Sequence, residues 1–286
     1  MSKIAVLTDS VACLPNELLE RYPIHVIPLH VNFGTESYLD GVEMSLDEFY
    51  RRLRENKSLP TTSAPSVGEF KTFYQRLAEE GAESIVCIPY GGELGMGYGA
   101  AATAAKELPE LDIRVVNSHT ALMAQGFLAV EAARAVEAGA TVQEVLERVH
   151  AMIPHVDVCF MVDTLEYLRR GGRISHLQAF MGSMLDLKPL LHIPTDKGTI
   201  QPLGRYRTRS RAIKELVNKV QEMVGSRPLH ITVHQSDAEP EEIERLFRTI
   251  EERFEVRELY QSGITPVVGT HFGPKGLALA FWAESP

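Results

Sequence analysis

Apolar and polar positions alternate along the first half of the chain on two different periods. Short apolar runs that end at loop-forming or capping residues are typical of buried strands, and they occupy residues 4–7, 25–31, 84–88 and 113–116. Between them, apolar residues that recur every three to four positions predict helices over residues 15–22, 45–57, from 66 onward, 100–108, 120–138 and 141–152. Strands that alternate with helices predict parallel βαβ units.

The second half has a more alternating pattern. Strands are predicted over residues 156–162, 200–206, 230–233, 256–260 and 277–282, and helices over residues 210–224 and 239–254. We therefore expect an α/β protein with an N-terminal domain over residues 1–154, whose mostly parallel sheet is flanked by helices. A C-terminal α+β domain follows over residues 155–286. Pro154 marks the boundary because proline interrupts a helix.

Composition excludes several classes of protein. A chain of 286 residues can bury about three quarters of its unfolded surface, so its core needs no disulfide or metal for stability. A net charge of -9 repels phosphate backbones and argues against general nucleic-acid binding. No apolar run approaches the roughly 18–20 residues that span a bilayer, and the N-terminal run is too short for a secretory signal, so we expect no membrane insertion.

The cysteines and histidines do not suggest a metal centre. Cys13, Cys87 and Cys159 form no Cys-x-x-Cys pair, and the last two lie inside apolar runs. Small buried thiols of this kind are typical of the reducing cytoplasm, which is the location we expect. His230 and His234 share one face of a predicted strand without an obvious third ligand, so no metal site is expected.

A hydroxyl-rich segment, Thr61-Thr62-Ser63-Ala64-Pro65-Ser66, precedes the helix that starts at Ser66. Hydroxyl groups and the free N–H groups of a helix N-terminus can together bind a carboxylate or a phosphate. In the alternative interpretation, Ser66 is only an N-cap and the threonines are turn residues.

A glycine-rich loop runs from Gly91 to Gly99, between the strand over residues 84–88 and the next helix. Its glycines allow backbone N–H groups to approach a ligand closely. The Gly95-x-Gly97 spacing also satisfies a loose dinucleotide fingerprint, but the next strand ends at Val116-Asn117-Ser118 without the acidic residue that would hold a ribose.

Three further segments carry positive charge or a titratable ring. Arg169, Arg170 and Arg173 surround the glycine turn at 171–172 and could clamp an anion, or they could be a solvated helix end. His271 lies in what we expect to be a glycine-flanked turn, where it could donate to an anion or serve a structural role. The stretch from Arg205 to Lys219 carries six basic residues against one acid, which favours either a solvated helix face or the docking of an acidic partner.

Taken in order, these segments resemble the DegV family of bacterial fatty-acid-binding proteins over nearly the whole chain. The matching motifs are Thr8-Asp9-Ser10, Thr62-Ser63-Ala64-Pro65-Ser66, Asn117-Ser118 with Gln125-Gly126, residues 165–174 around Gly171-Gly172-Arg173, Lys188-Pro189-Leu190, and Gly269-Thr270-His271-x-Gly-Pro. Within these motifs, Asn117 stands where the family has Asp.

The resemblance implies a two-domain α/β protein that buries one long-chain acyl group at the junction of its domains. It also implies that Thr62 and His271 gather at the carboxylate, and that a separate kinase acts on the bound acid. Arg170 and the stretch from Arg205 to Lys219 then become candidates for contact with phosphate or with that kinase. No cofactor, no catalytic residue and no metal are expected. The candidate ligand-binding residues are Thr62, Ser63, Gly95, Gly97, His271 and Arg170.

The glycine loop is the main departure from the resemblance. Where the family has Ser-Ser-x-Leu-Ser-Gly-Thr-Tyr, this chain keeps Leu94 and Tyr98 but loses the hydroxyl groups, and Gly95 stands where the family's carboxylate-binding serine would be. A hydrogen bond to a charged group contributes about 1.5–3 kcal/mol, whereas a dozen buried methylenes contribute roughly 10 kcal/mol before ordering costs. The loss therefore weakens binding without abolishing it.

Several alternatives remain at this stage. Backbone N–H groups between Gly95 and Gly97, or Tyr90, substitute for the missing hydroxyl, or else the head group differs from that of a simple fatty acid. The loop from Gly91 to Gly99 could instead serve an enzyme or binding protein that takes a phosphorylated or nucleotide ligand. The basic stretch could belong to a regulatory protein that docks a partner.

Overall fold

Three β-sheets organise the chain in this computed structural model, which describes residues 3–55, 59–180 and 187–284. The strands are β1 (Ile4–Asp9), β2 (Ile24–Ile27), β3 (His30–Phe33), β4 (Glu36–Leu39), β5 (Thr61–Ser63), β6 (Ser84–Ile88), β7 (Asp112–Val115), β8 (Val156–Met161), β9 (Lys188–His192), β10 (Gln201–Tyr206), β11 (Leu229–Ser236), β12 (Val256–Gly263) and β13 (Gly276–Ala283).

The helices are α1 (Asn16–Arg21), α2 (Leu46–Glu55), α3 (Val67–Glu79), α4 (Gly97–Lys106), α5 (Leu122–Glu137), α6 (Val142–Met152), α7 (Glu166–Arg170), α8 (Arg209–Val224), α9 (Pro240–Arg253) and α10 (Pro266–Phe272). Short 3-10 turns occupy Ser10–Ala12, Gly92–Leu94, Ile153–His155 and Ser175–Phe180. The predicted end of α2 at residues 56–57 lies outside the described residues. Within the described ranges, no helix combines the length and the apolar character that crossing a membrane requires.

The first sheet is parallel throughout, in the order β2-β1-β6-β7, as the alternation of strands and helices predicts. Successive side chains of a strand point to opposite faces. Ala5 and Leu7 therefore pack with α3 and α4, whereas Val6 packs in the core that contains α5. The sheet is thus covered by helices on both faces, which is why its strands are apolar runs without alternation.

The second sheet has the order β10-β9-β8-β13-β11-β12 and is antiparallel except for the β11–β12 pair. Helices α8 and α9 cover one face, and α5 lies against the other. Twelve residues of α5 are buried because this helix also packs on β1 and β6 of the parallel sheet. The mixed α/β fold class is confirmed. The proposed division into residues 1–154 and 155–286 stays a prediction, although all six strands of this sheet follow residue 155.

One strand prediction is wrong. Residues 25–31 do not form a single strand, because Pro28 separates β2, which joins the parallel sheet, from β3, which joins a small antiparallel sheet of order β4-β3-β5. The amide of Leu29, next to that proline, donates to Ser10 Oγ at 3.1 Å. The chain thereby turns out of the parallel sheet. The third strand of the small sheet is Thr61–Ser63, a segment that the sequence left open as an anion-binding stretch or as turn residues and for which it predicted no strand.

A candidate ligand-binding cavity

A mainly apolar cavity lies where the small sheet, the glycine loop and α10 meet. It holds about 650 Å³ of empty space, including the solvent at its mouth. Its apolar lining comes from both halves of the chain: Val11, Leu29, Leu94, Ala121, Leu122, Phe160, Leu168, Ile193, Ile200, Val267, Val268 and Phe272. Among the residues that the structure describes, its polar lining consists of Thr62, Tyr90, Arg173 and His271. A concave, mainly apolar space with a few convergent polar groups is the usual form of a small-molecule site.

Thr62 and His271, predicted from distant motifs, are hydrogen-bonded to each other. Thr62 Oγ1 lies 2.8 Å from His271 Nε2. Strand β5 places Thr62 there by pairing it with Val31 of β3. Because neighbouring strand residues face opposite ways, Thr61 and Ser63 are exposed and do not line the cavity. The candidate Ser63 therefore lies outside the site that contains Thr62.

His271 lies in the last turn of α10, not in the glycine-flanked turn that the sequence predicts. Proline at the start of this helix and a hydrogen bond from Val267 N to Asp40 Oδ1, at 3.1 Å, fix where it begins. Gly269 lets the helix lie against the aromatic core, since a Cβ there would come within 2.7 Å of Phe49. Tertiary packing thus stabilises a helix that its glycine content alone disfavours.

The imidazole of His271 is neutral. Burial lowers its pKa to about 3, and the positive charge of Arg173 acts in the same direction. Nδ1 is buried without a hydrogen-bond partner among the described residues. An unpaired buried N–H donor is rarer than an unpaired acceptor, so we assign the proton to Nε2, from which it is donated to Thr62 Oγ1. The hydroxyl proton of Thr62 is then free for a ligand.

The Gly171-Gly172-Arg173 turn packs directly on that imidazole. A Cβ on Gly171 would lie 2.0 Å from His271 Nδ1, so only glycine fits between the turn and the ring. At the C-terminal end of α10, a Cβ on Gly273 would lie 2.3 Å from the ring of Tyr167 in α7. The two glycines therefore allow α7 and α10 to come together and fix the position of His271.

The arginine that lines the cavity is Arg173, not the predicted Arg170. Arg173 donates from Nε to the Leu94 carbonyl at 3.1 Å and from Nη1 to the Gly171 carbonyl, and no carboxylate of the described residues forms an ion pair with it. Arg170 instead pairs with Glu166 at 2.5 Å, and its side chain is 53% exposed. We therefore correct the expectation: the charge that reaches the cavity belongs to the third arginine of the motif.

The glycine loop is shaped around Tyr90. A Cβ on Gly95 would lie 2.6 Å from the Tyr90 hydroxyl oxygen, and one on Gly97 would lie 2.3 Å from the Tyr90 ring. Neither glycine lines the cavity, although Leu94 and Tyr90 do. The loop surrounds an aromatic ring, and Gly97 is buried as the first residue of α4, so it offers no open cradle of the kind a dinucleotide phosphate occupies.

Two polar side chains, buried Asp9 and half-buried Asn117, anchor the segment from Tyr90 to Gly92. Asp9 accepts from Tyr90 N at 2.8 Å, from Val11 N at 3.0 Å and from Gln125 at 3.2 Å. Complete burial raises the pKa of Asp9 to about 7, and these hydrogen bonds oppose the rise. Asn117 accepts from Gly92 N at 3.3 Å. The sequence shows Asp9 as part of a motif, but its role as the anchor of Tyr90 depends on contacts across 81 residues.

The other candidate features lie outside the cavity. In the basic stretch, Arg209 pairs with Glu242, Arg211 with Glu215 at 2.8 Å and Lys219 with Glu222 at 2.6 Å. These pairs neutralise part of the charge that the sequence displays.

The candidate metal ligands and the cysteines also lie elsewhere. His230 is hydrogen-bonded to Glu258 at 2.6 Å, and His234 accepts from Met123 N at 3.2 Å. Within the described ranges, no three His, Cys, Asp or Glu residues form a group that could hold a metal ion. The three cysteines are free thiols and are buried.

Comparison with known proteins gives consistent matches along the whole chain. The sequence model of the DegV family matches residues 3–284. Protein DegV of Bacillus subtilis is 34% identical over 280 residues, which are 97% of this chain and 98% of that protein. A DegV domain-containing protein of Streptomyces coelicolor is 38% identical over 272 residues, 95% of each chain.

Solved structures of similar proteins match the fold over nearly the whole chain. A DegV family protein of Thermus thermophilus, described as binding fatty acid, superposes with a TM-score of 0.90 at 29% identity and covers 99% of this chain and 100% of its own. The DegV structure of Bacillus subtilis, described as a fatty acid binding protein, gives 0.89 at 32% identity with 99% and 100% coverage. A stearic acid-binding protein of Eubacterium ventriosum gives 0.88 at 25% identity, with 99% and 98% coverage.

Proposed function

The chain belongs to the DegV family, and from that membership together with the geometry of the cavity we propose that it binds one long-chain fatty acid. The acyl chain occupies the apolar cavity and the carboxylate meets the polar groups at Thr62, His271 and Arg173. The observation that carries the proposal is the Thr62–His271 hydrogen bond at the polar end of an otherwise apolar cavity.

The chemistry of the polar groups favours an anionic head group. Thr62 has a free hydroxyl proton once Nε2 of His271 donates to its oxygen, and Arg173 offers guanidinium N–H groups that no carboxylate neutralises in the described ranges. Both are donors, and an ionised carboxylate is an acceptor only. A partly buried arginine without an acidic partner also compensates the charge of an incoming anion.

The two ends of the ligand contribute differently to binding. Burial of a dozen methylenes contributes roughly 10 kcal/mol before ordering costs, and each hydrogen bond to the charged carboxylate about 1.5–3 kcal/mol. The cavity walls therefore supply most of the affinity, and the polar groups determine which end of the acid faces them.

We further propose that the protein is a carrier and does not itself catalyse a reaction. The family resemblance supports a separate kinase that acts on the bound acid, with Arg170 and the stretch from Arg205 to Lys219 as the surface for that partner. Arg207 of this stretch is exposed. We place the carrier in the cytoplasm, where free buried cysteines such as Cys13, Cys87 and Cys159 persist in the reduced state.

The direct test is lipid extraction of the purified protein followed by mass spectrometry. We expect a long-chain acid in near-equimolar amount, and delipidated protein should take up palmitate or oleate. A protein that carries no acyl ligand and takes up neither acid contradicts the proposal.

A matched pair of variants shows whether such a ligand occupies the cavity. Val268 lines the cavity, and Val268→Trp fills part of it. Val42 is 70% exposed, so Val42→Trp adds the same ring at the surface. We expect the first variant to lose acyl uptake and the second to retain it. Equal uptake by both, in variants that unfold at the same temperature as the native protein, places the ligand elsewhere.

A further inference from the structure

The phenol of Tyr90 is a further polar group at the cavity, and it takes no part in the Thr62–His271 hydrogen bond. Its residue lines the cavity, is only 6% exposed and follows directly on β6 and Pro89. Asp9 holds its backbone through the 2.8 Å hydrogen bond from Tyr90 N. The main chain of Tyr90 is therefore anchored, and its side chain forms part of the cavity wall.

The glycine loop fixes the ring in this position. Side chains at positions 95 and 97 would come within 2.6 Å of the Tyr90 hydroxyl oxygen and 2.3 Å of its ring, which no real Cβ does. The large aromatic side chain at position 90 therefore requires glycine at positions 95 and 97. Arg173 holds the same loop by donating to the Leu94 carbonyl at 3.1 Å.

The hydrogen bonding of the phenol leaves its proton available. Burial raises the pKa of Tyr90 to about 12, and hydrogen bonding from the backbone N–H groups of Gly97 and Met96 opposes that rise. A phenol has one proton to donate and accepts through its oxygen. Within the described part of the chain, its O–H donates to no protein acceptor.

We propose that Tyr90 determines head-group specificity: its hydroxyl donates to a carboxylate oxygen of the bound acid, in place of the hydroxyl that Gly95 lacks. This inference rests on the proposed function and deepens it. Tyr90, Thr62 and Arg173 then present donors from three separate segments, and among the described residues no carboxylate lines the cavity beside them. Such a set selects an ionised carboxylic acid over the alcohol of the same chain length, because an alcohol brings a donor of its own and no charge.

The test compares myristic acid with 1-tetradecanol in equilibrium binding to the delipidated full chain. The variant is Tyr90→Phe, and Tyr98→Phe is its matched control because Tyr98 lies in the same segment without lining the cavity. Tyr90→Phe should weaken acid binding about tenfold to a hundredfold and leave alcohol binding nearly unchanged. Tyr98→Phe should leave both unchanged. An acid-to-alcohol ratio in Tyr90→Phe equal to that of the native protein overturns the role of Tyr90.

Failure of the proposed function gives a different result, because the native protein then binds neither compound. A second pair of variants keeps the inference testable if Tyr90→Phe repacks the loop. Gly95→Ser should weaken acid binding in the native background, where its Cβ collides with Tyr90, but strengthen it in the Tyr90→Ala background, where the serine hydroxyl has room. If serine at position 95 has the same effect in both backgrounds, the two positions do not share one function and the inference fails.

Discussion

The hydroxyl of Thr62 and the imidazole of His271 lie 2.8 Å apart although 209 residues separate them in the chain. The first belongs to a three-stranded sheet and the second to a short helix, so neither local structure alone creates the pair. The sheet is completed by β5, and the helix is positioned by glycines at 171, 269 and 273 that permit close packing. The pair is therefore a product of the tertiary fold.

Replacing Thr62 by valine tests the head-group end of the site. Valine preserves the shape and the strand preference of threonine but removes the hydroxyl. We expect fatty-acid binding to weaken by about 1.5–3 kcal/mol, the contribution of a hydrogen bond to a charged group, while the fold stays intact. Calorimetric titration with palmitate measures the change, and Thr61→Val on the exposed face of the same strand is the control.

The contributions of Thr62 and His271 to the binding free energy of the acid should depend on each other. If the imidazole acts on the ligand through the threonine hydroxyl, Thr62→Val and His271→Ala disturb one interaction, and the double variant should lose less binding energy than the sum of the single variants. His271→Ala should impair discrimination of the head group more than uptake of the acyl chain. Strict additivity of the two changes contradicts the assigned hydrogen bond.

Gly171 should tolerate no side chain. Its Cβ would lie 2.0 Å from His271 Nδ1, so Gly171→Ala must displace the imidazole or the turn. Overpacking of this kind costs about 1–3 kcal/mol of unfolding free energy, and acid binding should fall with it. Gly68→Ala in α3 is the control, because its nearest neighbour is 3.8 Å away and alanine favours a helix. Urea unfolding and acid titration of the two variants should give opposite results.

Arg173 and Arg170 are separated by three positions, and their variants should behave differently. Arg173→Gln removes the uncompensated charge at the cavity, and we expect weaker acid binding by at least about 1.5 kcal/mol and a reduced dependence of affinity on salt. Arg170→Gln removes an exposed partner of Glu166, and exposed ion pairs contribute only about 0–1 kcal/mol. Equal losses in both variants contradict the placement of Arg173 at the carboxylate.

This contrast shows where sequence reasoning stops. The motif around Gly171 offers three arginines as candidates for an anion clamp, and of these three Arg173 lines the cavity. Which guanidinium reaches the cavity depends on the direction of each side chain after the turn, which the packing of Leu94 and His271 decides.

The strands show the same difference. The strand predicted over residues 84–88 has the same bounds as β6, because a buried parallel strand leaves a continuous apolar run in the sequence. Strand β5 is missed because its hydrogen-bonding partner β3 lies about thirty residues away.

The glycine loop is a second case in which the sequence shows the residues but not the contact between them. In the sequence, Gly95 and Gly97 stand where the family has residues with hydroxyl groups, so the two positions read as a loss of hydrogen-bond donors. In the structure the space they leave is filled by the ring of Tyr90, so a deletion at one position and a large side chain at another form a single arrangement. Only the three-dimensional contact connects the two observations, because four residues lie between Tyr90 and Gly95 and no periodicity links them.

His234 should make the protein sensitive to acid. Its Nε2 accepts from Met123 N at the start of α5, and complete burial lowers its pKa to about 3, against about 6.5 in the unfolded chain. Between these two values the unfolded state binds a proton that the native state refuses. The stability due to this group is therefore fully present above pH 6.5 and is lost as the pH falls, by about 1.4 kcal/mol per unit.

The variant His234→Gln isolates this effect. Glutamine can still accept from the amide of Met123 through its side-chain oxygen, but it does not titrate. Asp9 and Asp40 act in the opposite direction, since burial raises their pKa values to about 7 and about 6, so the native curve alone sums opposing contributions. The difference between the variant and the native protein removes them. Urea unfolding from pH 7 to pH 4 should show the variant gaining relative stability steadily on acidification, whereas His155→Gln, at an exposed position, should track the native protein. If the difference in unfolding free energy between the variant and the native protein does not change with pH, His234 is not the neutral cap of α5.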